Sequence, residues 1–188
     1  MKTLIITAHP SSKGFTHRIA DTYKKEIEKK GAEVEILDLY RPENRQDFLM
    51  FENVREMPAD PSVGRMQEKI SASDELVFIF PLWWYGEPAI LKNFWDKNFT
   101  ARYAYRYIDG KPIGLLKGRT ARIFFTSDGP WYYQWLLLQP VRTIWWLTRL
   151  RLCGIKMKSF TVFGSMYSRD DKNREKLLEK VVRIAKRG

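Results

Sequence analysis

The chain has 188 residues, with 33 Lys and Arg against 22 Asp and Glu for a formal charge of +11, 44% hydrophobic and 14% aromatic residues, and one cysteine. That length fits one domain over 1–188 with room for a sizeable core, and the lone Cys153 excludes a disulfide framework or a multi-cysteine metal site and suits a reducing compartment. The positive excess favours an anionic ligand or surface, while no zinc-finger spacing or ribonucleoprotein motif points to nucleic acid.

Thr3 to Ala8 is a short apolar run rich in β-branched residues, which predicts a strand buried on both faces. No basic region, long apolar stretch and cleavage site lie ahead of it, so no signal peptide is expected and a cytoplasmic setting is. After the loop His9 to Gly14, Phe15, Ile19, Tyr23 and Ile27 recur every four residues up to Gly31, a helix stripe closed by glycine. Glu33 to Leu39 predicts the second strand. Tyr40 to Pro61 is polar around the apolar patch Phe48, Leu49, Met50 and Phe51, and reads as functional irregular chain or a short helix plus loop. Met66 and Ile70 then predict a helix running into Ser73.

Glu75 to Phe80 predicts the third strand, followed by the aromatic triplet Trp83, Trp84 and Tyr85. Pro88 fits the first turn of a helix whose apolar face is Ile90, Leu91, Phe94, Trp95 and Phe99. Ala101 to Gly118 reads as a Tyr-rich connection, and Arg119 to Thr126 as a fourth strand ending in the loop Ser127 to Pro130. Trp131 to Leu152 predicts a helix interrupted at Pro140, apolar but broken by Arg142, Arg149 and Arg151 before it reaches a spanning length. Ile155 to Phe163 gives the fifth strand and Asp170 to Lys186 the last helix. Strands alternating with helices predict an α/β three-layer sandwich around a five-stranded parallel sheet, and right-handed crossovers favour the order 2-1-3-4-5.

In such a sheet ligands bind at the carboxyl ends of the strands. The loop His9 to Thr16 brings hydroxyls, Lys13 and Gly14 to a helix start, where backbone N–H groups and the helix dipole attract an anion; Ser12 or Thr16 acting only as a helix cap is an equal reading. Leu82 to Tyr85 offers flat apolar walls, with folding back into the core or a subunit contact as the alternative. Thr126 to Gly129 offers small hydroxyls and a glycine for close approach of a ring edge. Together the three loops suggest a phosphorylated planar cofactor, and flavin mononucleotide (FMN) fits best.

The first loop, Ala8-His9-Pro10-Ser11-Ser12-Lys13-Gly14-Phe15-Thr16, resembles the phosphate loop of the flavodoxin-like NAD(P)H quinone oxidoreductases. Phe80 to Lys92 followed by Tyr103-Ala104-Tyr105 is similar to that family's most specific motif. The resemblance implies a flavodoxin-like fold, a homodimer with flavin near its interface, and hydride transfer from NAD(P)H through flavin N5 to a quinone, azo, nitro or similar acceptor. It implies cofactor contacts from His9, Lys13, Gly14, Phe15 and Thr16 on the phosphate side, Leu82, Trp83, Trp84 and Tyr85 around the ring, and Thr126, Ser127, Asp128 and Gly129 at the pyrimidine edge. No side chain is expected to act as acid or base in the hydride step. The absence of the C-terminal extension of larger FAD-binding relatives favours FMN over FAD.

Two departures stand out. Trp83 replaces a frequent Gln, and Asp128 would oppose negative charge on reduced flavin unless it points away. His17 is expected on the surface. A rival reading is a non-catalytic regulatory subunit docked on the inner face of an anionic membrane through Trp131, Trp135, Trp145 and Trp146 beside Arg142, Arg149 and Arg151. A dimer interface explains the same aromatics.

Overall fold

The computed structural model describes residues 1–53, 60–129 and 139–187. Strands β1 (Lys2–Thr7), β2 (Glu33–Asp38), β3 (Glu75–Pro81), β6 (Thr120–Thr126) and β7 (Lys156–Phe163) form one sheet in the order β2-β1-β3-β6-β7, with every pairing parallel. Numbered among the sheet's own strands, this is the expected order 2-1-3-4-5. Helices α1 (Phe15–Glu28) and α5 (Asp171–Lys186) pack on one face. Helices α2 (Pro61–Ala72) and α3 (Ala89–Asn98), with the π-helical α4 (Ile144–Arg151), pack on the other.

The alternation of side chains along each strand splits the core in two. From β3, Leu76, Phe78 and Phe80 join the α2–α3–α4 layer, while Val77 and Ile79 join the α1–α5 layer. All seven residues of β3 are buried, as a central parallel strand covered on both faces requires. The stripe Ile19, Tyr23 and Ile27 seats α1 on the sheet, and Gly31, at φ 77°, ends that helix in the left-handed turn that glycine adopts without steric cost. At α5 the expected start is capped by Asp170, whose carboxylate accepts the Asn173 N–H at 2.8 Å. Cys153 is buried in the core, and burial pushes its thiol up to about 12.

Two local expectations change. The Tyr-rich connection contains an antiparallel hairpin, β4 (Tyr105–Ile108) and β5 (Lys111–Gly114). Asp109 and Gly110, at φ 49° and 73°, make the tight turn that an Asp-Gly pair favours between antiparallel strands. Pro88 stands one residue ahead of α3, at its N-cap, with extended backbone. Pro140 lies in helical backbone that runs on into α4; residues 131–138 ahead of it, with Trp131 and Trp135, lie outside the described residues. The irregular stretch after β2 holds a 3₁₀ turn at Pro42–Asn44 and is tied to α3. Asn93 Nδ2 donates to the Gln46 carbonyl at 2.8 Å, and Lys97 Nζ, which is 2.7 Å from the Asp60 carboxylate, donates to the Asp47 carbonyl at 2.9 Å. Beyond these ties Phe48, Leu49, Met50 and Phe51 are exposed. No helix among the described residues is long and apolar enough to cross a membrane.

Candidate functional site

The carboxyl ends of β1, β3 and β6 meet at a cleft of about 250 Å³ lined by His9, Phe15, Thr16, Pro81, Leu82, Trp83, Thr126, Ser127, Asp128, Met166 and Arg174. Eight of the residues expected from the three loops therefore face one space: His9, Phe15, Thr16, Leu82, Trp83, Thr126, Ser127 and Asp128. Lys13, Gly14, Trp84, Tyr85 and Gly129 belong to the same loops without lining that cleft. The lining combines polar groups on the β1 side with flat apolar groups on the β3 side.

On the β1 side the loop is built to present a helix start. Gly14 is the N-cap of α1, makes no side-chain cap, and is followed by a first turn without an acidic residue. Neither Ser12 nor Thr16 serves as the cap. Ser11 organises the turn instead: its carbonyl accepts the Gly14 N–H at 3.0 Å, its hydroxyl accepts the Lys13 N–H at 3.3 Å, and its own N–H lies 3.1 Å from His9 Nδ1. The His9 ring lies flat against Gly14, where a Cβ would fall 2.5 Å from Nδ1. Only glycine fits between the imidazole and the helix start. The result is a helix N-terminus whose partial positive charge is met by no side-chain cap and no first-turn carboxylate.

Buried polar atoms without partners collect beside it. Thr16 is 1% exposed and its Oγ1 has no hydrogen-bond partner among the described residues; Nε of Arg174, which reaches the cleft from α5, also has none among them, while its Nη2 donates to the Met166 carbonyl at 3.4 Å. His17, expected on the surface, is half-buried, with its Nε2 sealed from solvent and unpartnered and its ring edge-on to His9 at 6.4 Å. Buried polar groups are nearly always hydrogen-bonded, because an unmet donor or acceptor costs about 1–3 kcal/mol. Such a cluster at an uncapped helix start is what a bound anion would satisfy.

On the β3 side, Trp83 and Gly86 exchange two backbone hydrogen bonds, each 2.9 Å, across a two-residue turn. Its central residues, Trp84 and Tyr85, sit at φ 50° and 57°. That left-handed pair usually requires Asn or Gly, and holding bulky aromatics there costs on the order of 1–3 kcal/mol each. Trp83, Trp84 and Tyr85 are nevertheless all exposed, so packing into the core is excluded for this triplet. Leu82 N–H donates to the Thr126 carbonyl at 2.8 Å and ties the turn to the third loop.

In that third loop Ser127 N–H donates to the Phe163 carbonyl at 2.9 Å, and Gly129 N–H donates to Ser127 Oγ at 3.2 Å. Asp128 accepts the Tyr167 N–H at 2.8 Å through Oδ1, so one of its carboxylate oxygens is held toward the loop after β7. Three lining residues, Pro81, Met166 and Arg174, are not among those expected from the sequence; Pro81 ends β3 just ahead of the aromatic loop. Met166 follows β7, whose carboxyl end obeys the same rule as the other strands and could have been included. Arg174 is one of several cations on an amphipathic helix, with nothing in its spacing to single it out.

The rival membrane surface loses two of its members. Trp145 is buried against Phe80, ring centroids 5.3 Å apart, and Arg149 is ion-paired with Glu87 beneath the aromatic turn. Trp146 remains exposed, with Arg151 over its ring at 5.8 Å.

Comparison with known proteins agrees with this architecture. A family model described as flavodoxin-like fold matches residues 1–186. An uncharacterized NAD(P)H oxidoreductase of Haemophilus influenzae is 30% identical over 187 residues, covering 95% of this chain and 91% of that protein. The solved NAD(P)H:quinone oxidoreductase of Methanothermobacter marburgensis is 28% identical, with a TM-score of 0.84 over 98% of this chain and 97% of that one. A Bacillus anthracis FMN-dependent NADH-azoreductase, solved with FMN, shares the fold at 18% identity and a TM-score of 0.72, covering 99% and 98% of the two chains. Against longer curated relatives the chain spans 54% of their length. With matches over nearly its whole length, the chain belongs to the flavodoxin-like NAD(P)H oxidoreductase family.

Proposed function

We propose that the protein is an FMN-dependent NAD(P)H oxidoreductase that reduces a quinone or a related azo or nitro acceptor. The observation that carries this reading is the pairing, in one cleft, of an uncapped helix start ringed by orphaned polar atoms with an exposed aromatic turn. A phosphorylated planar molecule satisfies both halves. Its phosphate would take hydrogen bonds from the first-turn amides of α1, from Thr16 Oγ1 and from Arg174. Trp83 and Leu82 would wall the ring, and Thr126 to Gly129 would meet its pyrimidine edge. When bound, FMN supplies the two-electron chemistry between nicotinamide and acceptor.

The chain's own residues then bind, orient and tune. Asp128, engaged by the Tyr167 amide, keeps part of its negative charge off the cofactor edge. The positive charge of Arg174 and of the helix dipole lies at the phosphate end, where it compensates the dianion. A homodimer would cover the exposed aromatics of the turn and the patch Phe48 to Phe51, which would otherwise remain in water.

The test is direct. Purified protein should carry a flavin absorbance spectrum, or gain one on titration with FMN, bleach under NAD(P)H, and recover its colour when a quinone is added. Protein that stays colourless with excess FMN would overturn the assignment. Bleaching without reoxidation by any quinone, azo or nitro acceptor would limit it to the reductive half-reaction, from NAD(P)H to FMN.

A further inference from the structure

The aromatic turn is held from beneath by a single charged side chain. Arg149, on the π-helical α4, is ion-paired with Glu87, the residue that follows the turn at Gly86. Both side chains are about nine-tenths buried, 11% and 9% exposed. The guanidinium lies over the Trp145 ring at 4.6 Å and the Trp95 ring at 5.7 Å. Trp145 in turn stacks on Phe80, the penultimate residue of β3, at 5.3 Å. One residue thus connects the two stems of the turn: Glu87 on its exit by charge, and Phe80 on its entry through a stacked indole.

This arrangement answers a problem set by the turn itself. Trp84 and Tyr85 occupy backbone conformations that persist only where the surroundings over-determine them. Their own side chains supply no such constraint, because both are exposed. Short π-helical segments recur at functional sites, where they redirect a side chain that an α-helical register would aim elsewhere. An isolated buried carboxylate at Glu87 would be costly, so the pair is an obligate unit in place of two interchangeable surface charges. Arginine suits the position because its planar guanidinium stacks on indole while its edge meets a carboxylate, which lysine does not reproduce.

We infer that Arg149 is a positioning residue for the cofactor wall: acting through Glu87 and Trp145, it holds the Trp83–Gly86 turn in its left-handed form and so sets where the flavin ring rests. This rests on the proposed flavin site, but the turn itself can be read without any cofactor. Three variants decide it: Arg149→Met, Glu87→Gln and the double variant. The double variant removes both charges and keeps the test open if Arg149→Met alone, with an unpaired Glu87, fails to fold.

In apoprotein, amide hydrogen exchange at Trp83 and Gly86, whose N–H groups close the turn, should accelerate in the folded variants while exchange in β3 stays slow. In a fluorescence titration, FMN should bind about tenfold more weakly to each variant, and the double variant should be no weaker than the worse single one, as expected for residues acting as one unit. Unchanged exchange at Trp83 and Gly86 would overturn the inference. So would a lowered thermal midpoint with unchanged exchange and FMN affinity, since that marks a purely structural pair. If wild type binds no FMN, the functional reading falls, and the exchange experiment still determines whether Arg149 positions the turn.

Discussion

Two clusters of buried polar groups on the same parallel sheet are closed to different degrees. At the amino end of β3, Glu75 is 1% exposed, yet it accepts the Tyr23 hydroxyl at 2.7 Å and Arg122 Nε at 3.0 Å, with Lys158 Nζ at 3.7 Å. The charges are paired there, and only the neutral hydroxyls of Thr3 and Ser159, in register with Glu75 and Arg122, lack partners among the described residues of this cluster. At the carboxyl end, Thr16 Oγ1, His17 Nε2 and Arg174 Nε are buried without partners beside an uncapped helix start. Both clusters lie under the α1–α5 layer. Breaking the first cluster would strand a buried charge, whereas the second carries the cost of unmet polar groups that the proposed phosphate would relieve.

Three changes break or sharpen this contrast, the largest first. Glu75→Ala should destabilise the protein by about 3–5 kcal/mol, because it leaves the Arg122 guanidinium buried without its counter-charge. Urea unfolding measures the loss, and the FMN affinity of the folded fraction should stay at the wild-type value. Arg174→Met should do the reverse, weakening FMN binding by about 1.5–3 kcal/mol, the range for a hydrogen bond to a charged group, with little change in apoprotein stability. Thr16→Val swaps the orphan hydroxyl for a methyl of the same shape. It should raise apoprotein stability by up to about 1 kcal/mol while FMN binds more weakly, and a thermal scan with and without FMN reads both signs.

The smallest effect is alkaline. Burial, then the Glu75 charge, raises the Tyr23 phenol above its ordinary value of 10.0. A folded-state value above the unfolded one gives stability that is fully present below pH 10 and is lost as pH climbs beyond it. Tyr23→Phe should therefore flatten the fall in stability at the alkaline end and leave the neutral side with only the loss of one hydrogen bond. A 295 nm titration should show one phenol that ionises only as wild type unfolds.

The site was legible in the sequence to different depths at its two halves. His9 to Thr16 could be placed because a strand, a polar loop and an i, i+4 stripe in succession leave few topologies. That Thr16 is an orphan and Gly14 an uncapped start could not be read, because partners are decided by distance. Trp83 to Tyr85 announced a flat ligand by composition alone. The left-handed turn beneath them was hidden, since no Gly or Asn marks its central positions.

Sequence alone determined the five-stranded parallel sheet, its order and the loops that line the cleft. Apolar runs of strand length, amphipathic stripes and right-handed crossovers are local or near-local properties. Only the tertiary structure decided that Trp145 and Arg149 are buried under the turn while Trp146 stays exposed, though the three residues read alike along the chain. The helical register that separates them is π over Ile144–Arg151, and it is fixed by packing against Phe78, Phe80 and Trp95, residues more than 45 positions away in the chain. Arg174 entered the cleft for the same reason: the packing of α5 on α1 and the sheet, and no motif, brought it there.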